Sequence, residues 1–221
     1  MAFIGIFDVI GPNMVGPSSS HTAGAASISY IARKMFGKDI DSVIFTLYGS
    51  FEKTYRGHGT DKALLGGILG FESEDLRIKN SFEIAKERGL EFEFKESSAE
   101  IEHPNTVDIF MKSKDGEEMT VRGVSIGGGK VKIVAINEMQ VEFYGEYPTL
   151  IIDHKDVKGV IAYTTKCLSE TNTNIAFMRV YRDSKGENAH SIIESDEKIS
   201  NEVIEKLKQN SNISNVMLVQ I

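Results

Sequence analysis

The apolar residues of this chain first fall into a regular pattern at Ala25, Ile28, Ile31, Ala32 and Met35, three and four apart, as on the buried face of a helix. Pro17 fixes its own φ and biases Gly16 away from the α region, so that helix starts only after it. Ser18 to Ser20 offer capping oxygens, and Gly37 supplies a stop. Val43 to Tyr48 reads as a strand. Thr60 to Leu69 reads as a helix with Thr60 as its N-cap and Gly70 as its end, and Ser81 to Arg88 as another closed by Gly89. Leu90, Phe92 and Phe94 alternate with charged residues, the mark of a half-buried strand. Thr106 to Ser113 and Met119 to Ile126 flank Asp115-Gly116, while Val131 to Ile136 and Met139 to Tyr144 flank Asn137-Glu138, which predicts two hairpins.

The pattern changes around Gly145 to Pro148, which sets a boundary between a first domain, residues 1–145, and a second, residues 148–221. The second reads as strand (Thr149 to Asp153), helix (Val157 to Thr171), strand (Ile175 to Arg182), a Ser184-Lys185-Gly186 turn, strand (Ala189 to Ser195), helix (Asn201 to Gln209) and strand (Val216 to Ile221). That βαββαβ order predicts a ferredoxin-like sandwich, and the fold class as a whole is α+β. The passage Asp153-His154-Lys155-Asp156-Val157-Lys158-Gly159-Val160 resembles the opening of an ACT domain, a module that binds amino acids or pairs with copies of itself.

Composition narrows the function. A 41% hydrophobic and 26% charged chain of 221 residues reads as a soluble globular protein. A formal charge of −7 without a basic cluster argues against a nucleic-acid partner. Met1 to Asp8 carries no basic leader region, and no apolar run approaches the roughly 18–20 residues of a membrane helix, so a cytoplasmic location with no membrane partner is expected. The single cysteine, Cys167, cannot make an internal disulfide or hold an iron–sulfur cluster by itself.

Candidate chemistry gathers in the first domain. Gly16-Pro17-Ser18-Ser19-Ser20-His21-Thr22 sets a titratable imidazole among hydroxyls at a helix start, where free N–H groups favour a carboxylate or phosphate and disfavour a protonated ring. Taken alone, the run is more often a serine-rich cap with an exposed histidine than a site. Tyr48-Gly49-Ser50 leads into a polar stretch in which His58 lies between two glycines, with Thr60 and Asp61 after it; helix initiation accounts for these residues as readily as a polar site does. Asn105, in His103-Pro104-Asn105-Thr106, offers a donor and an acceptor. Gly127-Gly128-Gly129 can present successive N–H groups to an anion, or simply bend a hairpin. His154 and His190 read as structural or exposed. No histidine pair has zinc-ligand spacing, and neither a Walker loop nor a nucleophile elbow is present.

Taken in order, Gly16 to Gly24, the Tyr48-Gly49-Ser50 to Asp61 passage, His103-Pro104-Asn105-Thr106, Gly127-Gly128-Gly129 and the ACT-like segment resemble the β subunit of the iron–sulfur-dependent L-serine dehydratases over essentially the whole chain. The resemblance implies a first domain akin to the allosteric substrate-binding domain of some phosphoglycerate dehydrogenases. It also implies deamination of L-serine to pyruvate and ammonia, and a separate α subunit whose cysteines hold a 4Fe-4S cluster acting as Lewis acid. His21 matches the histidine expected to take the α-proton. Ser18, Ser19, Ser20 and Thr22 would bind substrate, with Asn105, Gly127, Gly128 and Gly129 as further candidates, while His58 and Asp61 match a motif without an assigned role. A homodimer is expected when the chain is alone. Two other readings stay open, a non-catalytic serine-sensing subunit and a scaffold; pyridoxal phosphate chemistry is disfavoured because no lysine sits in a recognisable cofactor context.

Overall fold

A computed structural model describes residues 13–182 and 184–220. The first segment, Met1 to Asp8, and Ile221, the end of the last predicted strand, lie outside the described residues. The chain divides into two compact units, Met1–Tyr144 and Gly145–Ile221.

In the first unit a π-helical turn, Ser19–Gly24, runs into helix α1 (Ala25–Phe36), which ends at Gly37 in the left-handed conformation at φ 66°. Ile28, Ile31, Ala32 and Met35 form its buried face, as the spacing predicts. Strand β1 (Ile40–Tyr48) follows, then helices α2 (Gly49–His58) and α3 (Thr60–Ile68), a 3-10 turn (Leu76–Asn80) and α4 (Ser81–Glu87). Strands β2 (Glu91–Ser97), β3 (Asn105–Ser113), β4 (Glu118–Gly127), β5 (Lys130–Ile136) and β6 (Met139–Phe143) complete the unit.

The sheet order is β2-β1-β3-β4-β5-β6, with β1 and β2 parallel and the other neighbours antiparallel. Register aligns Phe45 with Ile109 and Ile109 with Val121, so one apolar face runs unbroken across three strands, and all three side chains are fully buried. Helix α1 lies against that face, where Ile28 crosses Gly123: a Cβ there would come within 2.2 Å of the Ile28 side chain. The opposite face mixes polar and apolar residues. On it Asp108 accepts from Tyr48 at 2.8 Å and from Arg122 through two bonds at 2.6 and 2.7 Å.

Two sequence expectations change here. The polar passage between Ser50 and His58 is a helix, because Phe51 and Tyr55, four residues apart, suffice to bury one side of it. Thr60 is not the N-cap of α3; Gly59, at φ 69°, takes that position and Thr60 lies fully buried inside the helix.

The second unit contains β7 (Thr149–Lys155), α5 (Val160–Ser169), β8 (Ile175–Arg182), β9 (Asn188–Ser195), α6 (Asn201–Lys208) and β10 (Ile213–Val219), in sheet order β10-β7-β9-β8. Helix α5 starts later than the apolar pattern predicts, because Gly159 caps it at φ 94°. Its Val160, Cys167 and Leu168 join Val203 and Leu207 of α6 over Leu150, Ile152 and Ile193, which puts both helices on one face of the sheet. The Tyr163 hydroxyl ties the helices together by donating to the Lys206 carbonyl at 2.7 Å. Among the described residues no helix is long and apolar enough to cross a membrane.

Candidate active site

Ser18 caps the π turn: its Oγ accepts the His21 backbone N–H at 3.0 Å, and its carbonyl accepts from the Thr22 amide at 2.8 Å. One π turn at the head of an α-helix sets its residues out of step with the turns that follow, a device frequent at functional sites. The turn fits only because residue 24 is glycine. A Cβ on Gly24 would lie 2.1 Å from Ser125 Oγ on β4, so the turn sits directly on the end of that strand.

The His21 ring is half-buried and held at both nitrogens. Nε2 is 3.0 Å from Ser50 Oγ in the first turn of α2, and Nδ1 is 3.4 Å from Ser18 Oγ. Phe51 meets its edge at 5.3 Å between centroids, and the exposed His58 ring stands 4.9 Å away at 78°. Burial, followed by the neighbouring His58, pushes the His21 pKa below its ordinary value, against a smaller upward pull from the Ser50 backbone. A neutral imidazole with one free lone pair is the form a proton acceptor needs.

The other expected residues fall around this ring unequally. Ser20 adjoins the glycine corner, its Oγ 3.9 Å from where a Cβ on Gly127 would lie, and Ser19 is half-buried in the same turn. Gly127, Gly128 and Gly129 all have positive φ, at 100°, 61° and 81°, and make the tight corner between β4 and β5. Asn105 bridges Gly49 and turns its Nδ2 toward the Ser125 carbonyl at 3.5 Å, while its buried Oδ1 finds no partner among the described residues. Such an atom is costly unless something else donates to it.

Thr22 departs from expectation. It is 2% exposed and its hydroxyl donates to the His58 carbonyl at 3.1 Å, so it fastens the end of α2 to the π turn instead of facing a ligand. Asp61 accepts from the Lys62 amide at 2.7 Å in the first turn of α3, and no hydrogen bond joins it to His21 or His58 among the described residues. Burial raises its pKa. Composition and motif spacing single out neither Ser50 nor Ser125, although Ser50 touches the histidine directly. Its signal is the Tyr48-Gly49-Ser50 strand-to-helix junction, where the Ser50 amide donates to the Pro104 carbonyl at 2.7 Å.

The chain's own donors do not fit an iron–sulfur cluster. Cys167 is 4% exposed in the core of the second unit, and no three His, Cys, Asp or Glu side chains among the described residues gather as metal ligands. His154 is buried, with Nδ1 donating to the Lys155 carbonyl and Nε2 meeting Ser191 Oγ, both at 2.8 Å. His190 pairs with Asp153 at 2.8 Å.

On this α+β scaffold a histidine whose neutral form is favoured sits between two serine hydroxyls, with a glycine corner beside Ser20 of the same turn. The family model described as serine dehydratase beta chain matches residues 5–138. A probable L-serine dehydratase beta chain of Bacillus subtilis is 41% identical over 98% of this chain and 98% of its own length. The L-serine dehydratase beta chain of Peptoniphilus asaccharolyticus is 49% identical over 76% of this chain and 77% of its own. A D-3-phosphoglycerate dehydrogenase of Bacillus subtilis is 28% identical over 89% of this chain but only 37% of its own length. The chain belongs to the serine dehydratase beta chain family.

Proposed function

We propose that this chain is the β subunit of an L-serine ammonia-lyase, working with a separate α subunit that holds a 4Fe-4S cluster, and that its second unit is a ferredoxin-like ACT domain. The observation that carries the reading is His21, whose neutral form is favoured by burial and by His58 and which is oriented by two serine hydroxyls in a chain of this family. The order β10-β7-β9-β8 with two helices on one face supports the ACT assignment. Cys167 buried in a core supports leaving the cluster to the partner chain.

In this reading L-serine lies against the π turn. Its carboxylate is received by the hydroxyls of Ser18, Ser19 and Ser20 and by the amides of the Gly127 to Gly129 corner, and its ammonium donates to Asn105 Oδ1, the buried acceptor without a partner among the described residues. His21 takes the α-proton onto its ring; the electron pair of the broken C–H bond forms the Cα–Cβ double bond as the β-hydroxyl leaves, and the proton passed on from the imidazolium makes that hydroxyl water and restores the neutral ring. The resulting aminoacrylate tautomerises to an imine, which water hydrolyses to pyruvate and ammonia. The exposed His58 ring, beside His21, discourages a resting proton there.

The test is anaerobic co-purification with the candidate α chain and measurement of pyruvate formed from serine. The isolated chain is expected to be inactive, the complex active, and the His21→Ala complex intact but without turnover. A His21→Ala complex with near-normal turnover that had lost only its response to serine concentration would replace this reading with a serine-sensing one.

A further inference from the structure

Ser50 sits at a junction of three connections. Its amide donates to the Pro104 carbonyl at 2.7 Å, its carbonyl accepts from Thr54 Oγ1 at 2.7 Å, and its own Oγ lies 3.0 Å from His21 Nε2. The backbone bonds anchor the residue, so the hydroxyl is presented to the imidazole from a fixed point. On the other side of the ring the contact is looser: Ser18 Oγ is 3.4 Å from Nδ1 and already accepts the His21 backbone N–H at 3.0 Å. With that lone pair engaged, the Ser18 hydroxyl proton is available to point at Nδ1.

We propose that Ser50 is a positioning residue that accepts the Nε2–H of His21, so that the neutral ring carries its lone pair on Nδ1, the nitrogen facing the serine-rich turn. The hydrogen bond made by one ring nitrogen decides which of the two is protonated. The short contact to Ser50 thus holds the ring, and the long contact to Ser18 is the one a ligand displaces. A proton arriving at Nδ1 converts the ring to imidazolium, with Nε2–H still held by Ser50. Only the consequence for turnover rests on the proposed dehydratase reaction; the tautomer itself does not.

The experiment is nitrogen NMR of the imidazole in the full chain, labelled at histidine, for the wild type, Ser50→Ala and Ser50→Thr, with His21 assigned by its loss in His21→Ala. Wild-type His21 is expected as the Nε2–H tautomer, Ser50→Ala as a mixture of the two, and Ser50→Thr, which restores the hydroxyl, as the wild-type form. In the reconstituted complex Ser50→Ala should lower kcat roughly 10-fold, a fraction of the about 100- to 10,000-fold a positioned base contributes, with KM little changed and Ser50→Thr recovering most of the loss. A wild-type ring protonated on Nδ1, or a tautomer unmoved by Ser50→Ala in a folded chain, overturns the proposal even if turnover falls. A tautomer that shifts as described while His21→Ala remains fully active upholds the Ser50 assignment and overturns the catalytic reading of His21 instead.

Discussion

His21 and His154 are both gripped by serine hydroxyls, yet their surroundings differ in the ways that separate a working imidazole from a structural one. His154, 4% exposed, gives its Nδ1–H to a backbone carbonyl and meets Ser191 with Nε2, so its ring is saturated and its tautomer locked by a group that can only accept. His21 meets hydroxyls on both sides, one of them at 3.4 Å, and keeps a half-open face with His58 beside it. The difference lies in the scaffold more than in the residue. On the paired strands β7 and β9 His154 and Ser191 satisfy each other, whereas where the π turn meets β3 and β4 the Asn105 and Ser125 side-chain oxygens have no partner among the described residues.

The sharpest way to break that comparison is to remove each ring. His21→Ala in the reconstituted complex should reduce serine turnover by roughly 100- to 10,000-fold with little change in melting temperature. His154→Ala should do the reverse, costing roughly 1–3 kcal/mol as the Ser191 hydroxyl and Lys155 carbonyl lose their partner, with turnover per folded molecule retained. Thermal denaturation beside a pyruvate assay separates the two effects; equal loss of activity in both variants would erase the distinction.

Gly24→Ala tests the scaffold. Overpacking against Ser125 Oγ should cost about 1–3 kcal/mol, and Ser125→Gly in the same chain should return part of it. The pH dependence follows from the downward shift of His21. Its neutral form persists below the ordinary histidine value of about 6.5, so the acid limb of turnover assigned to this ring should lie below that value. For the fold, the unfolded ring binds its proton first as pH falls. Stability contributed at His21 is therefore full above about 6.5 and declines from there toward the lower folded value, as chemical denaturation across that range would register. The smallest effect is expected from Cys167→Ala: a modest core cavity, with no change in the cluster content of the purified complex.

Much of this is legible in the sequence. The apolar spacing from Ala25 to Met35, the hairpin turns and the strand–helix order after Tyr147 follow from local physics that the sequence writes openly, and so does the capping role of Ser18 beside His21. Helix α2 was not legible, because only Phe51 and Tyr55 carry its apolar face and glycines sit near both ends. The π turn was hidden for a related reason: its register is set by the long-range seating of Gly24 on Ser125, which no window of neighbouring residues contains. Ser50 and Thr22 exchanged expected importance on the same account. A hydroxyl's role depends on which atoms the fold brings within hydrogen-bond reach, and here Thr22 is turned toward the His58 carbonyl at 3.1 Å and Ser50 toward the imidazole at 3.0 Å.

The central claim is that His21 receives the α-proton, and α-deuterated L-serine tests it directly. The wild-type complex should show a primary isotope effect on turnover or release deuterium to solvent, and an intact His21→Ala complex that still binds serine should do neither. Deuterium release at the wild-type rate from the His21→Ala complex would contradict the claim and move the base to another residue.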